Sequence, residues 1–148
     1  MQAYQHILLA ADFTGHGDYV ASQAAELARL YQAKLSVCHA VDSLPIAESV
    51  YGPIIPFDGS LTTELVAFAE KELANLGKTY GIPVERQWVV IGSPRTEILY
   101  LAQEHGADLI VVGSHGRHGL GLLLGSTASS VLHHAKCDVL AVRLVESE

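Results

Sequence analysis

No run of apolar residues in this chain approaches the roughly 20 needed to cross a bilayer, and residues 1–6 lack the basic start of a secretory signal. No membrane contact is expected, and the expected compartment is the cytoplasm. Cysteine is scarce: Cys38 and Cys137 stand far apart and form no C-x-x-C pair, which excludes a disulfide framework and points to reduced, packed thiols. Positive charge is scarce as well, with nine Lys and Arg against sixteen Asp and Glu and a formal net charge of −7. A protein that wraps a duplex must neutralise several phosphates with clustered basic residues, so nucleic acid is excluded as a partner. A single nucleotide is not excluded, because backbone N–H groups hold phosphates without a basic surface. Internal repeats and low-complexity tracts are missing too. Charged residues make up only 17% against 49% hydrophobic, which excludes disorder for most of the length. The 148 residues fit one domain, 1–148, long enough to bury roughly two-thirds of the surface of the unfolded chain.

What is present is a regular alternation. His6 to Ala11 is short and continuously apolar, as a strand buried on both faces must be, and Asp12 follows it directly. From Asp18 to Tyr31 the period becomes helical, with Val20, Ala24, Leu27, Ala28 and Tyr31 on one face. Lys34 to Val41 reads as a second strand. Asp42 to Ser60, with three prolines and no sustained period, reads as a long loop. Leu61 to Tyr80 is a second helix stopped by Gly81 and Pro83, and Val84 to Ile91 a third strand. Gly92-Ser93-Pro94 is a helix start, with Ser93 suited to capping and Pro94 to the first turn, and this helix ends near Gly106. Asp108 to Gly113 is a buried fourth strand, Ser126 to His134 a last helix, and Asp138 to Arg143 a fifth strand. Five strands alternating with four helices predict an α/β, doubly wound parallel sheet with helices on both faces. Ligands of such sheets bind beyond the carboxyl ends of the strands, where the winding reverses. A reversal between the first and fourth strands would make Asp12 and Gly113 neighbours.

The chemistry concentrates in residues 113–127, Gly-Ser-His-Gly-Arg-His-Gly-Leu-Gly-Leu-Leu-Leu-Gly-Ser-Thr. Its five glycines admit backbone angles closed to other residues, so their N–H groups can converge on an anion. Gly125-Ser126-Thr127 opens the last helix, whose free N–H groups and dipole favour phosphate, with two hydroxyls as further donors. The same glycines also suit plain turns and close helix–sheet contact, and Asp12 also suits a turn or cap. Neither G-x-x-x-x-G-K-[ST] nor a G-x-G-x-x-G after the first strand is present. Ser114 beside His115 makes no triad, and G-x-S-x-G is absent, so no catalytic residue is assigned. Of the eight histidines, His115, His118, His133 and His134 invite a metal reading. His133 and His134, however, point about 100° apart on a helix and have no thiol or carboxylate at ligand spacing, so no metal site is assigned.

Here the sequence resembles the universal stress protein family. The stretches that carry the resemblance are His6-Ile-Leu-Leu-Ala-Ala-Asp12-Phe13, Val37-Cys38-His39-Ala40-Val41-Asp42, Gly92-Ser93-Pro94, and the run from Ala107 through Gly116-Arg117 to Leu124-Gly125-Ser126. The resemblance implies strand order 3-2-1-4-5, a homodimer paired through the fifth strand, here from Val139 to Arg143, with higher oligomers possible, and in one subclass a bound ATP or AMP. It places Ala11 and Asp12 near ribose and adenine and the backbone of Ala40 on the adenine edge. Gly113, His115, Gly116 and Arg117 would flank ribose and phosphates, and Gly125, Ser126 and Thr127 the phosphate chain. Magnesium would accompany a triphosphate through its phosphate oxygens. One departure bears on ligand size: eight residues, Arg117 to Leu124, separate the second glycine from the Gly-Ser pair, one fewer than the family's usual pattern.

The expected function is an adenine-nucleotide-binding stress or regulatory protein, a dimeric binding module acting on an unidentified protein partner, in which any hydrolysis is slow. Two rivals are an apo dimeric interaction protein with a vestigial crevice, and a slow enzyme that cleaves ATP or transfers an adenylyl group.

Overall fold

A computed structural model describes residues 3–13, 15–42, 59–114 and 124–144. The short apolar runs become the five strands of one sheet: β1 (His6–Ala10), β2 (Lys34–Val41), β3 (Gln87–Ile91), β4 (Leu109–Gly113) and β5 (Asp138–Val142). Their order is β3-β2-β1-β4-β5 and every neighbouring pair is parallel. The helices are α1 (Gly17–Tyr31), α2 (Gly59–Tyr80), α3 (Pro94–His105) and α4 (Ser126–His134).

The period of two along each strand sorts the core into two layers. Ile7, Leu9, Leu35, Val37, Leu109 and Val111 pack with Val20, Ala21, Ala24 and Ala28 of α1 and Leu73 of α2. Leu8, Cys38, Ile110 and Val112 pack on the opposite face with Ile98, Leu101 and Ala102 of α3 and Ala128 and Val131 of α4. The run of alanines on α1 lets that helix lie close on the sheet, and each fully buried Leu or Ile contributes about 1.5–3 kcal/mol.

Element ends follow local chemistry. Gly81 beyond α2 (φ 72°) and Gly106 at the end of α3 (φ 70°) take the left-handed conformation that releases the chain from a helix. Pro94 opens α3 as expected, but Ser93 makes no side-chain cap bond, and its carbonyl instead accepts from the Thr96 and Glu97 N–H groups. α1 starts one residue before the expected Asp18, α2 two before the expected Leu61, and β5 stops at Val142. The expected third strand is shortened at its start. Val84–Arg86 is a 3-10 turn, because Val84 is 75% exposed with nothing to pack on and pairing to β2 begins only at Val37↔Gln87. β4 starts at Leu109, and Asp108 just before it ties to the start of β1, its N–H donating to the His6 carbonyl and its carboxylate accepting from the N–H groups of Gln5 and His6. Most of the expected 42–60 loop lies outside the described residues.

Candidate functional site

The chain winds outward from β1 through β2 to β3, then returns to lay β4 and β5 on the other side of β1. The reversal therefore falls between β1 and β4, and the carboxyl ends of these two strands are where ligands of such sheets bind. Leu9 pairs with Val111, so Ala11 and Gly113 each stand two residues past a paired position on adjacent strands.

The end of β1 meets β2 at Ala11. Its N–H donates to the Cys38 carbonyl at 2.8 Å, and its carbonyl lies 2.9 Å from Nδ1 of His39. A carbonyl only accepts, so that ring nitrogen carries the proton. The His39 ring also lies against Phe13, with centroids 4.2 Å apart and planes 35° apart, and Phe13 meets the edge of Phe68 on α2 at 5.7 Å. Asp12, between Ala11 and Phe13, is half-buried. Its carbonyl sits where only glycine fits at the start of α1: a Cβ on Gly17 would lie 2.1 Å from it. The Asp12 Oδ1 lies 4.0 Å from the same point, so the carboxylate is beside the first turn of α1. Ala40 lies two residues beyond the last β1–β2 pair, Ala10↔Cys38, and remains paired with Val90 of β3.

On the β4 side, Gly113 pairs with Val142. Ser114, 7% exposed, makes three bonds. Its N–H donates to the Val142 carbonyl at 2.9 Å, its hydroxyl accepts from the Leu144 N–H at 3.1 Å, and its carbonyl accepts from the Gly125 N–H at 2.7 Å. The two flanks of the glycine segment are thus tied to each other and to the end of β5. Gly125 occupies the N-cap of α4 without a side-chain cap, and Ser129 N–H closes the first turn on its carbonyl. The N–H groups of Ser126, Thr127 and Ala128 precede that closure, and the first turn carries no acidic residue, a setting that favours an anion. Ala11, Asp12, Ala40, Gly113, Gly125, Ser126 and Thr127 accordingly share one end of the sheet. His115, Gly116, Arg117 and His118 lie outside the described residues.

Residues the sequence reading set aside or left out turn out to shape this end. Ser114 is a structural tie whose hydroxyl is already engaged, and His39, Phe13 and Gly17 frame Asp12. Gly17 directly precedes the helical pattern that begins at Asp18, the signal in the sequence for such a close approach. Burial pushes the Cys38 thiol up to about 12, and burial beside Asp138 and Asp108 raises that of Cys137, so both are poor nucleophiles. His134 Nδ1 donates to the Ser130 carbonyl, and among the described residues no group of three His, Cys, Asp or Glu is placed to hold a metal. At the opposite end of the sheet a concavity of about 200 Å3, lined by Leu99, Ala102, Ile110 and Cys137 among others, is smaller than ordinary ligand pockets of roughly 300–1,000 Å3.

The profile of the universal stress protein family (Usp) matches residues 3–143. The chain belongs to the universal stress protein family. It is 41% identical over 145 residues to universal stress protein A homolog 1 of Coxiella burnetii, covering 97% of this chain and 99% of that protein. Among solved structures it resembles hypothetical protein MJ0577, with a TM-score of 0.80 and 27% identity, covering 99% of this chain and all of the other. It also resembles a universal stress protein crystallised in complex with cAMP, with a TM-score of 0.68 and 26% identity, covering 96% and 98% of the two chains. The expected strand order 3-2-1-4-5 is the one this universal stress protein adopts.

Proposed function

We propose that this universal stress protein is a binding module that holds an adenine nucleotide, ATP, ADP or AMP, in the crevice between the ends of β1 and β4, and that it acts as a homodimer in the cytoplasm. The observation that carries the reading is the tie between Ser114 and Gly125. It brings the uncapped, acid-free start of α4 to the end of β4, the strand next to the one that Asp12 follows, so main-chain donors for phosphate and a carboxylate acceptor for ribose hydroxyls share one end of the sheet. The resemblance to a universal stress protein crystallised with cAMP supports the same ligand class. In this reading Ala11 and Asp12 face the ribose and the Ala40 backbone the adenine edge. Gly113, His115, Gly116 and Arg117 flank ribose and phosphates, and Gly125, Ser126 and Thr127 receive the phosphate chain. Magnesium accompanies a triphosphate through phosphate oxygens alone.

The test has two parts. Small molecules released by denaturing the purified protein are identified by mass spectrometry, and ATP, ADP, AMP and cAMP are titrated calorimetrically into the stripped chain. Binding of at least one, weakened by about tenfold or more in Gly116→Val at unchanged circular dichroism, is the expected result. No heat from any of the four and no released nucleotide would favour an interaction protein with a vestigial crevice. Multiple-turnover cleavage lost in Asp12→Ala would favour an enzyme.

A further inference from the structure

Resting on the nucleotide reading, we propose that His39 is a positioning residue for the crevice, fixing the course of Asp12 by gripping both of its neighbours. The grip is a hydrogen bond on one side and a ring contact on the other: Nδ1–H donates to the Ala11 carbonyl, and the imidazole face lies on Phe13. Asp12 is the single residue between them. Its own carbonyl is bounded on a third side by the close approach of Gly17.

The arrangement follows from the pleat of β2. Val37 points into the layer of α1 and α2, Cys38 into the layer of α3 and α4, and the alternation returns His39 to the first layer, where Ala11 and Phe13 also pack. β1 ends at Ala10, paired with Cys38, and the Ala11 N–H still bonds to β2 through the Cys38 carbonyl. For the Ala11 carbonyl the donor comes from a side chain instead. His39 thereby extends the pairing of β1 and β2 past the last ladder residue with an imidazole, up to the residue that carries the carboxylate. Phe13, pinned under the ring and against the edge of Phe68, stops the chain beyond Asp12 from swinging toward α2. A carboxylate that accepts from two ribose hydroxyls must be held in direction as well as place, because misdirected acceptors lose most of a hydrogen bond.

The donor and the ring can be separated by substitution. His39→Asn keeps an N–H donor near the position of Nδ1 and removes the ring; His39→Phe keeps the ring on Phe13 and removes the donor. Calorimetric titration with ATP and AMP is expected to give dissociation constants about tenfold higher for His39→Phe, recovered to within about threefold of the parent by His39→Asn. Urea unfolding would show both variants folded. In the parent protein, nitrogen chemical shifts of His39 are expected to report the tautomer protonated at Nδ1, a reading that needs no variant to fold. Parent-like affinity in His39→Phe, equal losses in both variants, or a proton on Nε2 alone would each overturn the positioning role. A parent chain that binds no adenine nucleotide would overturn the nucleotide reading, and the role with it, whereas the first three outcomes overturn the role alone.

Discussion

The proton on His6 is placed by its neighbours. Nδ1 lies 3.1 Å from the His105 carbonyl, which can only accept, so Nδ1 is protonated and Nε2, 2.6 Å from Ser36 Oγ, accepts the serine hydroxyl. Ser36 is fully buried and His6 only 6% exposed. A second ring proton on Nε2 would displace the hydrogen that Ser36 donates there and break that bond inside the core. Burial therefore lowers the His6 pKa from 6.5. The His105 bond opposes it, Lys34 and Arg86 add to the lowering, and Asp108 counters weakly. A folded value below the unfolded one means that the unfolded chain takes up this proton first. The stability His6 contributes is full above about pH 6.5 and is lost as pH falls from there through the folded value. Urea midpoints measured at about pH 7 and about pH 5 are expected to drop more in the parent than in His6→Gln. The single tryptophan, Trp88, is a ready probe, since its ring stacks on His105 at 3.8 Å. An equal drop in both proteins would refute the assignment.

Among the elements, the junction of β4, α4 and the tail after β5 depends on Ser114. Ser114→Ala leaves the backbone bonds to Val142 and Gly125 in place but strips the Leu144 N–H of its acceptor in a buried setting. The expected loss is about 1–3 kcal/mol in denaturant unfolding with the fold retained; no change would mean that water replaces the hydroxyl. The sequence displayed Ser114 without showing this tie, because its partners lie on β5 and α4, where only the finished sheet brings them. Elsewhere the elements were readable. β2 and α4 fall on their expected residues, since a short strand-like run between a helix end and a proline-rich stretch, and a Gly-Ser start, are local signals. Val84 misled because it is as strand-like as Val89 in isolation; only the register of β3 on β2 shows that it has no partner. The candidate site divides the same way. The switch-point rule pointed to Asp12 and Gly113 as neighbours and the helix-start signal to Gly125, whereas the role of His39 depends on the Ala10↔Cys38 register, a tertiary fact.

At the scale of the molecule, β5 is an edge strand whose open side has no partner among the described residues. Leu140 is 37% exposed on it, Leu132 of α4 is exposed as well, and no charge interrupts residues 139–142. Asp138 and Arg143 bracket the stretch with opposite charges, so an antiparallel, two-fold pairing of two copies would set each beside its opposite. That pairing would also satisfy the open ladder groups of β5. Sedimentation equilibrium is expected to give a dimer for the parent and a monomer for Leu140→Lys; a monomeric parent would remove β5 as an interface. The bond between the Ser114 carbonyl and the Gly125 amide has one more consequence. With the two flanks joined, the chain between them closes a loop whose entropic cost grows only slowly with its length, so insertions there are expected to disturb the strands little. Evolution can resize the reach toward a ligand by editing length alone, and a designer can graft a different segment onto the same two anchors.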